Sequence, residues 1–469
     1  MTGKRELSNL NNIVTPRLAG MIGISAVILF ICSSLRHLLF QSHAFDLGIF
    51  DQAVYLISQE LTPISTFMGY HILGDHAAYI WYPLALLYKI YPSIYWLFAV
   101  QALALSLGAL PTWHLARQAG LTEKQAVTMA LVYLLYPVVF NVNLFDFHPE
   151  VIALPTLLAA IWCARGKRFW WFCWSIIVIL GCKAVLSLTV AAMGLWLLVF
   201  EKRRWCGILA LILGISWFAI ASGVIIPTFS GKEAAAVGRY SYLGDSVFDI
   251  AKGLLLKPGL ILANLFNFSN LIYLLLLMLP IAWGISYSST TPLIAAIPCI
   301  GLNLITDYQP QKDLVHQYSL PALPFLLLVV ITTLAAGKGW IRSPKFIILW
   351  SLLTFLFLAK FTYFGSIYLK KLDAWQATHT AISLVKTKGS VLTTGAISSH
   401  LSHRQLIKLA DSEQPLDELT QFDYILLDTR YPGFGNTPES ASKMVNFLRS
   451  HADFNLEHEG NGIYLFHRK

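Results

Sequence analysis

The side chains of this chain that could do chemistry are acids, imidazoles and one amine, placed at the edges of apolar runs. Phe45-Asp46-Leu47-Gly48-Ile49-Phe50-Asp51-Gln52 holds two carboxylates five positions apart. On an unbroken α-helix that spacing turns them about 140° from each other, so they cannot share one face as an acid/base pair. One is expected to face a cavity; the plain alternative is that both are solvated or cap a helix. Asp46, nearer the first apolar run, is the first candidate for a general base or for orienting an acceptor hydroxyl, and Asp51 the second.

Gly74-Asp75-His76 and Phe145-Asp146-Phe147-His148-Pro149-Glu150 repeat one theme, carboxylate beside imidazole. Such groups suit a divalent cation, or a phosphate when the histidines are protonated. Neither has the His-Glu-x-x-His spacing of a metalloprotease, so no metal ligand set is assigned, and helix capping or an interfacial hydrogen bond serves as the plain alternative. Pro149 followed by Glu150 also reads as a helix start. Lys183 stands inside a long apolar stretch, and Asp307, Gln309, Lys312, Asp313, His316 and Tyr318 complete the inventory. A cation beside an apolar cavity is what a lipid-linked phosphate needs, because an anion removed from water gains more from one fixed cation than in bulk. The alternative for Lys183 is snorkelling to the interface.

The elements that must hold these groups follow from composition. The 469 residues include 34 Lys+Arg and 25 Asp+Glu, only 13% charged against 56% hydrophobic. Soluble domains carry about twice that share of charge. A water-soluble enzyme, a disordered chain, a collagen and a disulfide scaffold are excluded, and a multipass membrane protein is expected. Cys32, Cys163, Cys173, Cys182, Cys206 and Cys299 lie in or beside apolar runs without Cys-x-x-Cys spacing, which indicates neither a zinc site nor a disulfide framework.

The net charge of +9 follows membrane topology and not nucleic acid. Basic residues cluster at Lys4, Arg5 and Arg17; Arg117 and Lys124; Arg165, Lys167 and Arg168; Lys202, Arg203 and Arg204; and Lys338, Arg342 and Lys345. The positive-inside rule places these clusters in the cytoplasm. From His37 to Ala78 there is no Lys or Arg, while Asp46, Asp51, Glu60 and Asp75 are present, so this segment is expected outside. The first apolar run, Leu18 to Leu35, lacks a small-x-small cleavage site and reads as an uncleaved span.

Alternating sides at each basic cluster gives spans near 18–36, 93–116, 125–145, 150–164, 169–182, 184–200, 206–227, 269–286, 292–306, 319–336 and 346–364. That is about eleven, at roughly 20 residues each or somewhat fewer. Phe169 to Phe200 has basic clusters at both ends, so an even number of crossings must separate them. The stretch is therefore split at Gly181-Cys182-Lys183 into two short helices meeting at the outer side, which also lowers the penalty for a lysine within the membrane. Between Pro63 and Pro92, aromatics mixed with polar residues predict helices lying along the interface.

After about Leu372 the composition changes to charges, turns and short β runs. Residues 1–371 are assigned to a transmembrane domain and 372–469 to a small extracytoplasmic α/β domain. Strands are expected at Ser390 to Thr394, Phe422 to Asp428 and Gly462 to His467, and helices near Ala374 to Lys386 and Ala441 to Ser450. Gly433-Phe434-Gly435 reads as a turn and not as a phosphate-cradling loop.

Phe-Asp-Leu-Gly-Ile-Phe-Asp-Gln (45–52), Gly-Asp-His (74–76), Gln-Ala-Leu-Ala-Leu-Ser-Leu-Gly-Ala-Leu-Pro (101–111), Phe-His-Pro-Glu (147–150) and His-Gln-Tyr-Ser-Leu-Pro-Ala-Leu-Pro-Phe (316–325) carry a resemblance. Together they resemble a family of bacterial multipass membrane proteins known by a domain-of-unknown-function label. The likeness runs from about residue 40 to 336, and Asp423 to Asp428 resembles the family's end. That family in turn resembles the C-type (GT-C) glycosyltransferases, which use polyprenyl-phosphate sugars and keep an acidic residue in the first outer loop.

The resemblance implies a bacterial inner-membrane protein with its N-terminus inside and its tail domain outside. It also implies transfer of a sugar from a polyprenyl-phosphate donor to an extracytoplasmic acceptor. Asp46 matches the acidic position best, with Asp51 second, and Lys183 matches a basic position near the donor phosphate, although Ala184 and Val185 follow it where an acid is expected. His316 would assist Lys183. Asp75, His76, Asp146, His148, Glu150 and Tyr318 would shape the substrate pocket or hold a divalent ion, the only cofactor weighed. Membrane lipid and the lipid-linked sugar are the expected partners, and nucleic acid is not. A lipid or solute transporter is the second class, disfavoured by charges gathered on one face and by the lack of an inverted repeat. A membrane scaffold whose outer domain recruits a partner is the third.

Overall fold

The computed structural model describes residues 15–469, so Lys4 and Arg5 of the first basic cluster lie outside the described residues. The chain divides into two compact units. One contains the residues up to Ile31, Leu73–Ile80 and Ala99–Lys360, and the other Cys32–Ile72, Trp81–Phe98 and Phe361–Lys469.

Helices fill the first unit, and every expected span coincides with helix. Six helices among the described residues are long and apolar enough to cross a membrane: Pro16–Leu38, Tyr95–Gln118, Glu123–Phe145, Arg204–Ser230, Gln317–Ala335 and Pro344–Gly365. Pro258–Leu265 and Phe268–Gly284 form a further candidate, bent by 62°. The remaining expected spans are shorter: Glu150–Arg165 has 16 residues, Phe169–Cys182 and Leu186–Val199 have 14 each, and Leu293–Ile305 has 13. At about 1.5 Å per residue a 14-residue helix rises about 21 Å, less than a hydrocarbon core of about 30 Å. The first of the two 14-residue helices stops at Cys182, Lys183 leaves the helical path, and the second begins at Leu186.

Leu186–Val199 and Arg204–Ile220 form a tight antiparallel hairpin because three glycines let their backbones touch. A Cβ on Gly207 would lie 2.8 Å from the Leu198 amide nitrogen, and one on Gly214 would lie 2.6 Å from both the Ala191 nitrogen and the Ser187 carbonyl oxygen. Gly194 faces Gly207 and Leu211 in the same way. Inside a bilayer, where lipid is as apolar as leucine, this close van der Waals packing holds helices together.

The second unit is built on sheets. Ile64–Ser65 (β1) and Tyr70–His71 (β2) make a short antiparallel hairpin in the segment expected to be wholly helical, followed by the expected helix at Trp81–Ile90. In the tail, Val391–Thr393 (β3), Ile407–Leu409 (β4), Tyr424–Asp428 (β5), Phe454–Gly460 (β6) and Ile463–Arg468 (β7) form one sheet in the order β4-β3-β5-β7-β6. β3 runs parallel to β4 and β5, while β7 is antiparallel to β5 and β6. β3, β5 and β7 fall where the sequence predicts them.

Period-two alternation explains why β5 is an unbroken apolar run. Ile425 and Leu427 pack with Leu392, Phe466 and the Met444, Val445 and Leu448 face of Pro438–Ser450. Tyr424 and Leu426 point the other way, to Val391, Leu465 and Ala381 of Trp375–Leu384. A strand covered by helices on both faces needs apolar side chains at every position.

The hairpin makes a direct prediction. Gly214→Ala places a methyl inside backbone contact and is expected to destabilise the protein by about 1–3 kcal/mol. Gly301→Ala, where no atom lies within 4 Å of the added Cβ, should be neutral or stabilising. Thermal unfolding of the two variants in detergent checks the pair, and equal melting temperatures would remove the glycine interface as a determinant.

Candidate functional site

The first unit gathers most of the candidate residues around the break at Lys183. Lys183 has extended backbone (φ −165°, ψ 138°) between two helices. A broken helix leaves backbone groups without intrahelical partners, and the segment after Gly74 supplies some of them. The Ala184 amide donates to the His76 carbonyl at 2.9 Å, and the Ile80 amide donates to the Gly181 carbonyl at 3.0 Å. Gly74 packs the same segment against another helix end, since a Cβ there would lie 2.7 Å from the Ser230 nitrogen. The Gly-Asp-His motif is thus a backbone fitting that delivers Asp75 and His76 to the break.

Lys183 is buried and does not snorkel. Its ammonium donates to Glu150 Oε1 at 2.7 Å, with 10% and 4% of the two side chains exposed. Glu150 opens Glu150–Arg165, where the helix dipole favours a negative charge. The carboxylate absent from the two positions after the lysine therefore comes from another helix. Glu150 Oε2 is buried without a hydrogen-bond partner among the described residues, leaving an acceptor beside the amine unused.

His76 Nδ1 lies 2.9 Å from the Asp75 carbonyl oxygen and Nε2 lies 3.2 Å from the Asp75 carboxylate. Burial, then the nearby charge of Lys183, holds the His76 imidazole well below the usual histidine range, with His148 and Arg239 adding to the effect. His148 stacks on Phe145 at 5.3 Å, and Phe145 meets the His316 ring edge-on at 4.2 Å. His316 Nδ1 contacts Asp313 Oδ2 at 2.8 Å, while Asp313 Oδ1 accepts from the Val315 and His316 amides. Tyr318 lies near Lys183.

Asp146 has the most unusual backbone of the group. At φ 108° and ψ 169° it occupies a region essentially reserved for glycine, and it is buried. Its carbonyl oxygen lies 3.3 Å from His148 Nδ1. Strain of about 1–3 kcal/mol persists only where the surroundings impose it.

Arg239 also belongs here, although the sequence reading did not single it out. Its guanidinium lies 4.4 Å from the Tyr308 ring centroid and 5.1 Å from that of Tyr318, and it donates to Gln311 Oε1 at 3.0 Å. It is the sole arginine between Arg204 and Arg342 and is followed by tyrosine, a signal present in the sequence. Two cations and three imidazoles thus lie among aromatic rings, an arrangement suited to an anion and its apolar attachment. Among the described residues, no group of three or more His, Cys, Asp or Glu is arranged to hold a metal ion.

Asp46 and Asp51 belong to the second unit. The expected helical geometry does not apply to them, because Asp46 lies in a five-residue π-helical turn, Ala44–Gly48, and Asp51 in the α-helix that follows, Ile49–Ser58. Asp46 is partly exposed. Asp51 is buried: Tyr88 Oη donates to it at 2.5 Å, Ser402 Oγ donates to its other oxygen, and His403 Nε2 lies at 3.0 Å. Gln52 continues the connection, donating to Thr66 Oγ1 at 2.9 Å and to the Arg404 carbonyl at 3.2 Å. The Asp-Gln pair of the motif therefore fastens Ile49–Ser58 to the tail chain.

Asp51→Asn should leave buried hydroxyls poorly matched and cost about 1–3 kcal/mol. Its check is limited proteolysis of the tail, which should be faster than in the parent protein. Asp146→Gly makes a contrasting case: it relieves the backbone while deleting the carboxylate. Lost activity at undiminished melting temperature would assign the carboxylate a functional role, whereas a fall in both would make it structural.

The chain resembles a crystal structure of ArnT from Cupriavidus metallidurans bound to undecaprenyl phosphate, with a TM-score of 0.57 and 11% identity over 97% of this chain and 98% of that one. It also resembles ArnT from the same organism in the apo state, with a TM-score of 0.55 and 12% identity over 96% and 97% of the two chains. At such identity the likeness establishes a GT-C-like fold. No curated protein matches. Residues 36–465 match the family described as predicted membrane protein (DUF2079), and the chain belongs to that family.

Proposed function

We propose that the protein is a glycosyltransferase of the bacterial inner membrane that moves a sugar from a polyprenyl-phosphate donor to an acceptor on the extracytoplasmic side. The observation that carries this reading is the buried Lys183–Glu150 pair at a helix break, ringed by Arg239 and three imidazoles, in a chain whose fold resembles a protein solved with undecaprenyl phosphate.

Glycosyl transfer leaves the lipid phosphate with additional negative charge. Lys183, assisted by Arg239 and His316, offsets that charge where water is scarce, and a fixed cation is most effective in such surroundings. Glu150 keeps the amine charged and in place while no phosphate is bound. Tyr318 and Tyr308 present apolar ring faces beside the cations. Asp46 takes the proton of the acceptor hydroxyl or orients it. Asp75, His76, Asp146 and His148 shape the donor side of the reaction. Asp51, with three donors already on its carboxylate, serves the architecture.

Asp46→Asn should cut transfer by about 10²–10⁴-fold at normal protein abundance. Lys183→Gln should cut it by a similar amount while also weakening retention of polyprenyl phosphate. Profiling lipid-linked sugars and envelope glycans in cells carrying these variants checks both, with accumulation of an unused donor expected. Unchanged glycans accompanied by altered uptake would replace the enzyme with a transporter.

A further inference from the structure

At the opposite end of the Phe169–Cys182 helix from Lys183, about 20 Å away by helical rise, the chain builds a second cationic site. It consists of two turns of the same design. Lys167 and Lys202 both adopt left-handed backbone, at φ 57° and φ 54°. The arginine after each has almost the same conformation, φ −94° and ψ 69° at Arg168 and φ −93° and ψ 68° at Arg203. Each arginine is the N-cap of a helix, Phe169–Cys182 or Arg204–Ile220, and neither helix has a side-chain cap.

The two turns are locked side by side. Arg165 pairs with Glu201 through two hydrogen bonds of 2.7 and 3.0 Å, and Arg203 Nη2 donates to the Arg165 carbonyl at 2.7 Å. Six cationic side chains, Arg165, Lys167, Arg168, Lys202, Arg203 and Arg204, thus stand against the one acid Glu201. Buried Arg168 Nη1 and Arg203 Nε have no hydrogen-bond partner among the described residues. Lys167, Lys202, Arg203 and Arg204 line a cavity of about 690 Å³ with Phe169 and Trp205. Trp170, Trp171, Trp174 and Trp205 are exposed nearby, as aromatic residues are at the headgroup level of a bilayer.

We propose that this cavity binds the headgroup of an anionic phospholipid with two phosphates, drawn from the leaflet that the charge rule places on the cytoplasmic side. The cavity draws Lys167 from one turn and Lys202, Arg203 and Arg204 from the other, while Arg168 stacks over Trp162 at 4.0 Å, and each turn leads into an uncapped helix N-terminus. Four cations in one cavity match a paired phosphate, and the Phe169 and Trp205 rings in its wall suit acyl chains, which a free anion does not have. Basic pockets between transmembrane helices are a known setting for this chemistry. The proposal is independent of the transfer reaction and of Lys183.

Purified full-length protein in detergent, titrated with cardiolipin, phosphatidylcholine or inorganic phosphate, tests it by native mass spectrometry and thermal unfolding. Cardiolipin should bind and raise the melting temperature, and phosphatidylcholine should do neither. The double variant Lys167→Gly/Lys202→Gly removes two charges at positions where glycine is at ease, so its melting temperature without lipid should hold. Its cardiolipin binding should be about thirtyfold weaker. If that variant does not fold, Lys167→Gln/Arg204→Gln must show the loss instead. Equal binding of the two lipids, equal stabilisation by inorganic phosphate, or undiminished cardiolipin binding by a folded variant would overturn the assignment.

Discussion

A lysine ammonium placed within apolar surroundings is the constraint around which the first unit is organised. Lys183 cannot remain charged there alone, and Glu150 meets it from the first turn of a separate helix. Leaving one member of such a pair without the other typically costs about 3–5 kcal/mol, so the two helix ends are held to a fixed geometry. The helix must break for the lysine to reach its partner. The break frees backbone groups, and the segment carrying Gly74, Asp75 and His76 accepts and donates in their place. Both short helices flanking the break and the presence of His76 beside Lys183 follow from that one burial.

The second unit solves a different problem. Its tail sheet pairs parallel strands that carry few polar side chains, and helices cover both faces. Cys32–Ile72 and Trp81–Phe98 join this unit through polar bonds: Asp51 to Tyr88, Ser402 and His403, and Gln52 with Thr66 to the chain at 404–407. Buried hydrogen bonds to a carboxylate are directional, so they fix register as well as adhesion. A motif that looks catalytic from composition alone, with two acids and a glutamine, thus divides its labour. Asp51 and Gln52 hold structure, and Asp46 keeps partial exposure on a π-helical turn.

The likeness to ArnT spans nearly the whole chain at very low identity, which is the expected relation when a fold persists while side chains diverge. Fold alone does not carry a reaction across that distance. The weight rests on local chemistry: cations and imidazoles among aromatic rings beside an unused carboxylate oxygen. This arrangement favours an anion joined to an apolar body over a small hydrophilic solute.

Apolar run length, the placement of Lys and Arg, and strand periodicity are local properties, and they already determined the membrane class, the positions of the helices, the break at Lys183 and three of the five tail strands. The two remaining strands escaped notice because Ile407–Leu409 is too short to show a period and Phe454–Gly460 is mostly polar on an edge. Glu150 as partner of Lys183, 33 positions away, and His403 and Ser402 as partners of Asp51, more than 350 positions away, carry no local signal. Arg239 stands out locally as an isolated arginine, but its contacts with the rings at 308 and 318 do not. Only tertiary structure decides such pairings, because the free energy of a buried charge depends on which distant groups the fold brings beside it, and the chain's local pattern does not contain that distance.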